Sequence, residues 1–246
     1  MRHKPISFFI LLVLLLSKDD LFSQGSADTS GLVNQPEKNT IDYYYRAIGD
    51  NSHLYNGREY VSPVYRQDMD PYFKSAPMTR GDIHYDGFLY TNVFITYDIL
   101  NDALITYRSD QRFRVELVKE KIGSFSILGH LFIRIVPDSM NAGVIDPGFY
   151  DLLYDGRLQV IARREKKIQE SIVQNVANVQ MVESERIYVR KEKKYYFINS
   201  QHSLLGLLKE RKKDLKKFMH ENKIRFKDNP ENCIVLLTRF YDQLKN

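Results

Sequence analysis

The sequence predicts an α+β protein: an antiparallel β-meander, shaped as a curved sheet or half-barrel, with helices segregated at its C-terminal end. Three observations predict it. The phrase Tyr-Asn/Asp-Gly occurs at Tyr55-Asn56-Gly57, Tyr85-Asp86-Gly87 and Tyr154-Asp155-Gly156, and Asn-Gly and Asp-Gly accept positive φ at both central positions of a type I′ hairpin turn. Apolar and polar residues alternate with period two through the middle of the chain. The last fifth instead sets an apolar stripe at helical spacing among lysines. Strands followed by segregated helices define an α+β arrangement.

At the N-terminus, Arg2, His3 and Lys4 precede an apolar run from Ile6 to Leu16 that is broken only by Ser7, and a polar stretch ends at Ser23-Gln24-Gly25. This reads as a secretory signal peptide over residues 1–25. The run falls short of the roughly 20 residues a membrane helix needs, and Lys18, Asp19 and Asp20 close it. The expectation is export, to the periplasm or beyond. The one cysteine, Cys233, lies far from the signal, so lipid attachment at the cleavage point is not expected. A lone cysteine also forbids an intramolecular disulfide, and the exported domain must be held by its core. Cys233 itself reads as a small buried apolar residue.

Residues 26–39 are polar and aperiodic, which predicts a disordered leader. Residues 40–81 hold a short helix capped by Thr40, from Ile41 to about Ile48, and then a loop carrying Tyr60, Tyr65, Tyr72 and Phe73. The β domain is expected over residues 82–199. Val93, Ile95 and Tyr97 alternate with Phe94 and Thr96; Leu131, Ile133 and Ile135 with Phe132 and Arg134; Leu158, Val160 and Ala162 with Gln159 and Arg163. Such alternation marks half-buried strands. Asn101-Asp102, Ser109-Asp110, Leu128-Gly129 and Pro147-Gly148 separate them as turns. Ile187–Lys191 and Tyr195–Asn199 flank Glu192-Lys193-Lys194 as a charged hairpin, whose lysines oppose edge-to-edge pairing. Residues 200–246 predict a basic helical hairpin packed on the sheet. Ser203 is the expected N-cap of its first helix, Leu204, Leu208, Leu215, Phe218 and Met219 its buried stripe, and Asn222 its end. Asn229-Pro230 opens a second helix with the stripe Ile234, Leu237, Tyr241 and Leu244.

The segments Asp82–Tyr90 and Gly148–Gly156, and the lysine-rich helix followed by Arg225-Phe226-Lys227-Asp228-Asn229-Pro230, resemble a group of uncharacterised exported proteins from Bacteroidota. The resemblance covers most of the chain after the signal and implies an envelope or periplasmic location. It brings no activity and no catalytic residue with it.

Charge is unevenly spread. Residues 26–156 hold 12 Lys+Arg against 18 Asp+Glu, and residues 157–246 hold 21 against 11. The lysines Lys209, Lys212, Lys213, Lys216 and Lys217 form the strongest electrostatic feature and are the expected contacts for an anionic partner. Nucleic acid is not expected, since export removes that target. No histidine pair has the i, i+4 spacing of a helical zinc site and no Cys-x-x-Cys occurs, so neither metal nor cofactor is expected. His84, between Asp82 and Asp86, and His130 are the nearest approach to catalytic or ligating groups. The paired acids Asp68/Asp70, Asp98/Asp102 and Asp151/Asp155 bracket expected turns, where aspartate bonds its own backbone. No Gly-x-Ser-x-Gly elbow, phosphate loop or dinucleotide fingerprint is present. The pattern points to a non-enzymatic exported protein that binds a protein partner or envelope component. The alternatives are a carrier or sensor of an apolar ligand held in a half-barrel and, behind it, a hydrolase built on His84 or His130.

Overall fold

Alternating apolar residues can bury one face only by pairing strand to strand, and here they do so in one antiparallel sheet of eleven strands. The structure, a computed structural model, describes residues 53–61, 69–75, 78–108, 112–173 and 176–244. The expected signal peptide, leader, Ile41–Ile48 helix and Ser109-Asp110 turn lie outside the described residues. The strands are β1 (Arg58–Glu59), β2 (Thr79–Tyr85), β3 (Phe88–Asp98), β4 (Ala103–Tyr107), β5 (Arg114–Glu116), β6 (Ile122–Ile127), β7 (His130–Ile135), β8 (Gly148–Asp155), β9 (Gln159–Val173), β10 (Val176–Lys191) and β11 (Lys194–Phe197). Their order is β1-β5-β4-β3-β2-β6-β7-β8-β9-β10-β11. Two meanders therefore run outward in opposite directions from the β2–β6 pair.

The sheet curls but stays open. Tyr97 on β3 meets Phe132 on β7 with ring centroids 4.9 Å apart and Phe149 on β8 at 6.0 Å, although β2 and β6 intervene in the strand order. The Lys166 N–H of β9 donates to the Ile99 carbonyl at 3.1 Å and closes the curl locally. The concave interior is filled by Ile83, Tyr85, Ile95, Tyr97, Phe125, Phe132 and Phe149, none more than 1% exposed. Each such side chain stabilises the fold by roughly 1.5–3 kcal/mol relative to exposure. On β7 it is Phe132 that enters this interior, while Ile133 and Ile135 turn to a smaller cluster around Tyr150, Ile161 and Tyr188, and Leu131 is exposed.

The turn signals have three different fates. Asp86 and Gly87 have φ of 52° and 84° and join β2 to β3 as expected. Leu128-Gly129 and Glu192-Lys193 make similar positive-φ turns. Gly156 lies in the β8–β9 connection as expected, yet it does not have positive φ. What constrains it is proximity: a Cβ there would stand 2.5 Å from the Tyr154 hydroxyl and 2.6 Å from Asp242 Oδ2. Asn56-Gly57 makes no hairpin. It leads into β1, which pairs with the distant β5, Arg58 opposite Glu116.

The strand β9 runs on past Arg163, to Val173, and pairs residue by residue with β10 from Val173↔Val176 to Gln159↔Arg190. This two-stranded ribbon exceeds the expected strand at residues 158–163. Ile168, Ile172 and Val182 are exposed on it.

The C-terminal region folds as three helices, α1 (Gln201–Leu207), α2 (Lys212–Glu221) and α3 (Pro230–Leu244), where a two-helix hairpin was expected. Ser200, not Ser203, is the N-cap: its hydroxyl accepts from the Ser203 N–H, and the Ser203 hydroxyl donates back to the Ser200 carbonyl at 2.8 Å. A 3-10 turn over Lys209–Arg211 separates α1 from α2. Asn229 caps α3 by accepting from the Asn232 N–H at 2.9 Å, and Pro230 takes the first position, where its missing N–H costs nothing. Leu204, Leu208, Leu215, Met219, Ile234, Leu237 and Tyr241 bury against Val160, Ala162, Ile187 and Val189 of β9 and β10. Phe218 and Leu244 are half-buried. Among the described residues no helix is long and apolar enough to cross a membrane.

Candidate functional site

The apolar stripe of α2 fixes which way its lysines point. With Leu215 and Met219 buried against the sheet, Lys212, Lys213, Lys216 and Lys217 all face solvent, and Lys209 does so on the preceding turn. Lys212 and Lys216, like Lys213 and Lys217, lie one helical turn apart and so stand side by side. Lys217 reaches Glu221 at 3.8 Å. The other four make no ion pair, and a cation without a local partner remains available to an external anion. All five residues expected from the sequence are thus brought to one exposed face.

The same face continues at the end of α2. Its last turn closes in a Schellman arrangement: the Ile224 N–H donates to the Met219 carbonyl at 2.9 Å and the Lys223 N–H to the His220 carbonyl at 3.3 Å. Lys223, with φ of 53°, occupies the left-handed position that usually belongs to glycine. Beside it, between α2 and the start of α3, lies a groove of about 440 Å³ lined by Phe218, Asn222, Lys223, Ile224, Arg225, Asp228, Asn229, Asn232, Cys233 and Leu236. In sequence the Asn222–Asn232 segment shows helix punctuation and the Arg225–Pro230 run of the resemblance, and neither marks a groove. Asparagine and lysine in a turn look the same whether or not they line a groove.

The histidines separate. His84 is exposed on β2, and its neighbours Asp82 and Asp86 are engaged elsewhere, Asp82 Oδ1 accepting from the Asn92 N–H at 2.9 Å and Asp86 pairing with Lys121 at 2.9 Å. His130, in contrast, is held between two charged groups. Its Nε2 lies 2.6 Å from Lys74 Nζ and its Nδ1 lies 2.8 Å from Asp151 Oδ2. An ammonium group can only donate, so Nε2 accepts and the imidazole proton sits on Nδ1, donating to the carboxylate. The lone pair that would serve as a base is thereby taken up by Lys74, and no hydroxyl or thiol bonds the ring. Phe73 packs edge-on to His130 at 5.1 Å. The geometry fastens the Phe73–Ser75 turn to the sheet.

Asp151 is not a turn aspartate, as its pairing with Asp155 suggested. It sits in β8, 1% exposed, and accepts from Arg164 Nη2 at 2.7 Å and Nε at 3.1 Å. Arg164 also reaches Glu185 on β10 and Glu231 on α3. Burial draws the Arg164 guanidinium down, and the Asp151 and Glu231 carboxylates more than reverse this, so its pKa ends above the ordinary value. A second buried group centres on Asp102, which accepts from the Tyr97 hydroxyl at 2.6 Å and pairs with Lys119 at 2.8 Å and Arg163 at 3.2 Å. Burial, with the nearby Asp102 charge, pushes the Tyr97 phenol well up. Asp98 is a turn aspartate as expected, accepting from the Leu100 and Asn101 N–H groups at 2.9 Å. Its further acceptance from the Tyr60 hydroxyl at 2.9 Å fastens the aromatic loop. Asp70 Oδ1 accepts from the Tyr72 N–H at 2.8 Å, while Asp68 lies outside the described residues. Among the described residues no three His, Cys, Asp or Glu side chains converge to hold a metal ion.

No protein-family model, curated protein or solved structure matches the chain.

Proposed function

We propose that the chain is an exported, non-catalytic envelope protein that docks on an anionic envelope component through the lysine face of its C-terminal helices. The observation that carries this reading is the exposure, on one side of α2 and its preceding turn, of Lys209, Lys212, Lys213 and Lys216 without carboxylate partners. Like charges one turn apart, Lys212 with Lys216 and Lys213 with Lys217, oppose the helix by about 0.2–0.5 kcal/mol per pair, a cost that an anionic partner would relieve. The curled sheet serves as a rigid mount, because the opposite side of the same helix is locked into the core by Leu215 and Met219. The half-barrel carrier draws less support, since the concave interior that would hold an apolar ligand is occupied by Tyr97, Phe125, Phe132 and Phe149.

Co-sedimentation of the chain from Ser26 onward, without the apolar Ile6–Leu16 run that would itself enter lipid, with vesicles containing anionic lipid and with neutral vesicles tests the reading. Exposed charges interact over about 8 Å at physiological ionic strength, so binding should be confined to the anionic vesicles and weaken steeply as salt rises. Lys209→Gln, Lys212→Gln, Lys213→Gln and Lys216→Gln together should abolish it with folding unchanged. Binding that ignores salt, or that survives the quadruple variant, would overturn the lysine face as the docking element.

A further inference from the structure

The groove at the end of α2 carries a different chemistry from the lysine face it adjoins. Three primary amides, Asn222, Asn229 and Asn232, line it with the cations Lys223 and Arg225. Asn222 Nδ2 donates to the Phe218 carbonyl at 2.9 Å, which leaves its Oδ1 as an acceptor. Asn229 Oδ1 is taken by the Asn232 N–H, which leaves the Asn229 amide N–H groups as donors. The Asn232 side chain has no protein partner in either role. The groove therefore offers donors and acceptors side by side, the complement of a hydroxyl group, which is both at once. Its floor is apolar: Phe218, stacked on Phe240 at 4.1 Å, with Ile224 and Leu236. Such a floor suits the C–H faces of a sugar ring. An extended peptide paired by strand addition finds no strand edge here, since the elements are helix ends, and a helical peptide would leave the amide groups that line the groove without partners.

Lys223 supplies the charge preference. Its left-handed φ is strained for any residue with a Cβ, and glycine would remove the strain. The Schellman turn sets this φ, as turns do at Leu128, Glu192 and Lys193, so it is the charge of Lys223 beside the groove that distinguishes it. The ammonium has no carboxylate partner, whereas Arg225 Nε is engaged by Asp228 at 2.8 Å. One free cation beside three amides matches a carboxylate or phosphate carried on a sugar.

We infer that this groove is a binding site for an anionic saccharide, with Asn222, Asn229 and Asn232 reading the hydroxyl groups and Lys223 the acidic substituent. The inference rests on the docking reading above and names the component that the lysine face approaches.

Isothermal titration of the full chain with an oligogalacturonate, and with an oligoglutamate of equal charge that lacks hydroxyl groups, tests it. The saccharide should bind about tenfold more tightly, a gain of two or so hydrogen bonds at about 0.5–1.5 kcal/mol each. Asn232→Ala should remove that preference while leaving oligoglutamate binding as it was. Lys223→Gly should weaken saccharide binding about threefold, the scale of an exposed charge pair, while raising or preserving the melting temperature. A merely structural Lys223 would leave affinity untouched. Equal binding of the two polyanions, an Asn232→Ala variant that keeps its preference, or a chain that binds anionic vesicles but not the saccharide would each overturn the site while leaving the docking reading in place. Absence of salt-sensitive binding to every polyanion and vesicle would overturn both.

Discussion

Two glycines that look identical in sequence are held by different forces. Gly87 needs its positive φ, and no atom lies within 4 Å of a Cβ placed there. Gly87→Ala should therefore cost about 1 kcal/mol of left-handed strain and nothing in packing. Gly156→Ala should cost about 1–3 kcal/mol for the opposite reason, by wedging apart the Tyr154 hydroxyl and Asp242, which bond at 3.1 Å. Urea unfolding of each alanine variant in a Tyr154→Phe background separates them: removing the hydroxyl should shrink the penalty at residue 156 and leave that at residue 87 unchanged. Cys233 is a simpler case, read correctly from its neighbours. It is 1% exposed, and burial pushes its thiol up to about 11. The native protein should resist thiol labelling near neutral pH and react only on unfolding; rapid labelling of the folded chain would contradict the buried setting.

At the scale of elements, legibility follows the strength of local signals. The stripe of Leu204, Leu208, Leu215 and Met219 was readable because helical spacing and charge agree. The break at residues 208–211 was not, because its cause is distant: Glu210 is drawn to Lys191 on β10 at 2.9 Å and accepts from the Tyr241 hydroxyl of α3 at 3.1 Å. The β9–β10 ribbon is not legible for the opposite reason. Ile168, Ile172, Val176 and Val179 are spaced like one face of a helix, and the connection at residues 174–175 contains neither glycine nor aspartate. Pairing with β10 over fifteen registered positions overrides that local pattern. The Glu210 contact also makes a pH prediction. A hydrogen bond from Lys191 is the main cause that holds its carboxyl at about 2, below the ordinary 4.5. A depressed carboxylate contributes stability that is complete above its unfolded value and is lost as pH falls through its folded value. Glu210→Gln should thus lower the melting temperature slightly at neutral pH, the pair being half exposed, with the difference vanishing as pH falls from 4.5 towards 2. A difference that persists at the acid end would show that Glu210 acts through packing rather than charge.

Across the whole molecule, the most buried charged junction between the curled half and the helical half centres on Arg164. Arg164 on β9 holds the buried Asp151 of β8, Glu185 of β10 and Glu231 of α3, while Asp151 also accepts from His130 on β7. None of this could be read from the sequence, because the partners lie 13, 21 and 67 positions from Arg164 and meet only when both halves have folded. Removing one member of a buried pair leaves the other charge unpaired, which typically costs about 3–5 kcal/mol. Arg164→Ala should therefore destabilise by that order, because Asp151 cannot reach water where it sits. Replacing the whole set by apolar residues, Asp151→Leu and Arg164→Met with His130→Phe to remove the imidazole N–H that Asp151 accepts, should recover much of the loss, since desolvation of the ions is then no longer required. Glu185 and Glu231 are partly exposed and return to solvent in either variant. Urea unfolding followed in parallel by far-ultraviolet dichroism and tyrosine fluorescence gives a second readout. The parent chain should unfold in one coincident transition, whereas Arg164→Ala should release the helices before the aromatic interior, so that the two signals part. A loss below about 1 kcal/mol, of the kind usual for surface substitutions, with both signals still coincident, would mean that the halves are joined by apolar packing and by the Lys191–Glu210 and Tyr154–Asp242 contacts rather than by Arg164.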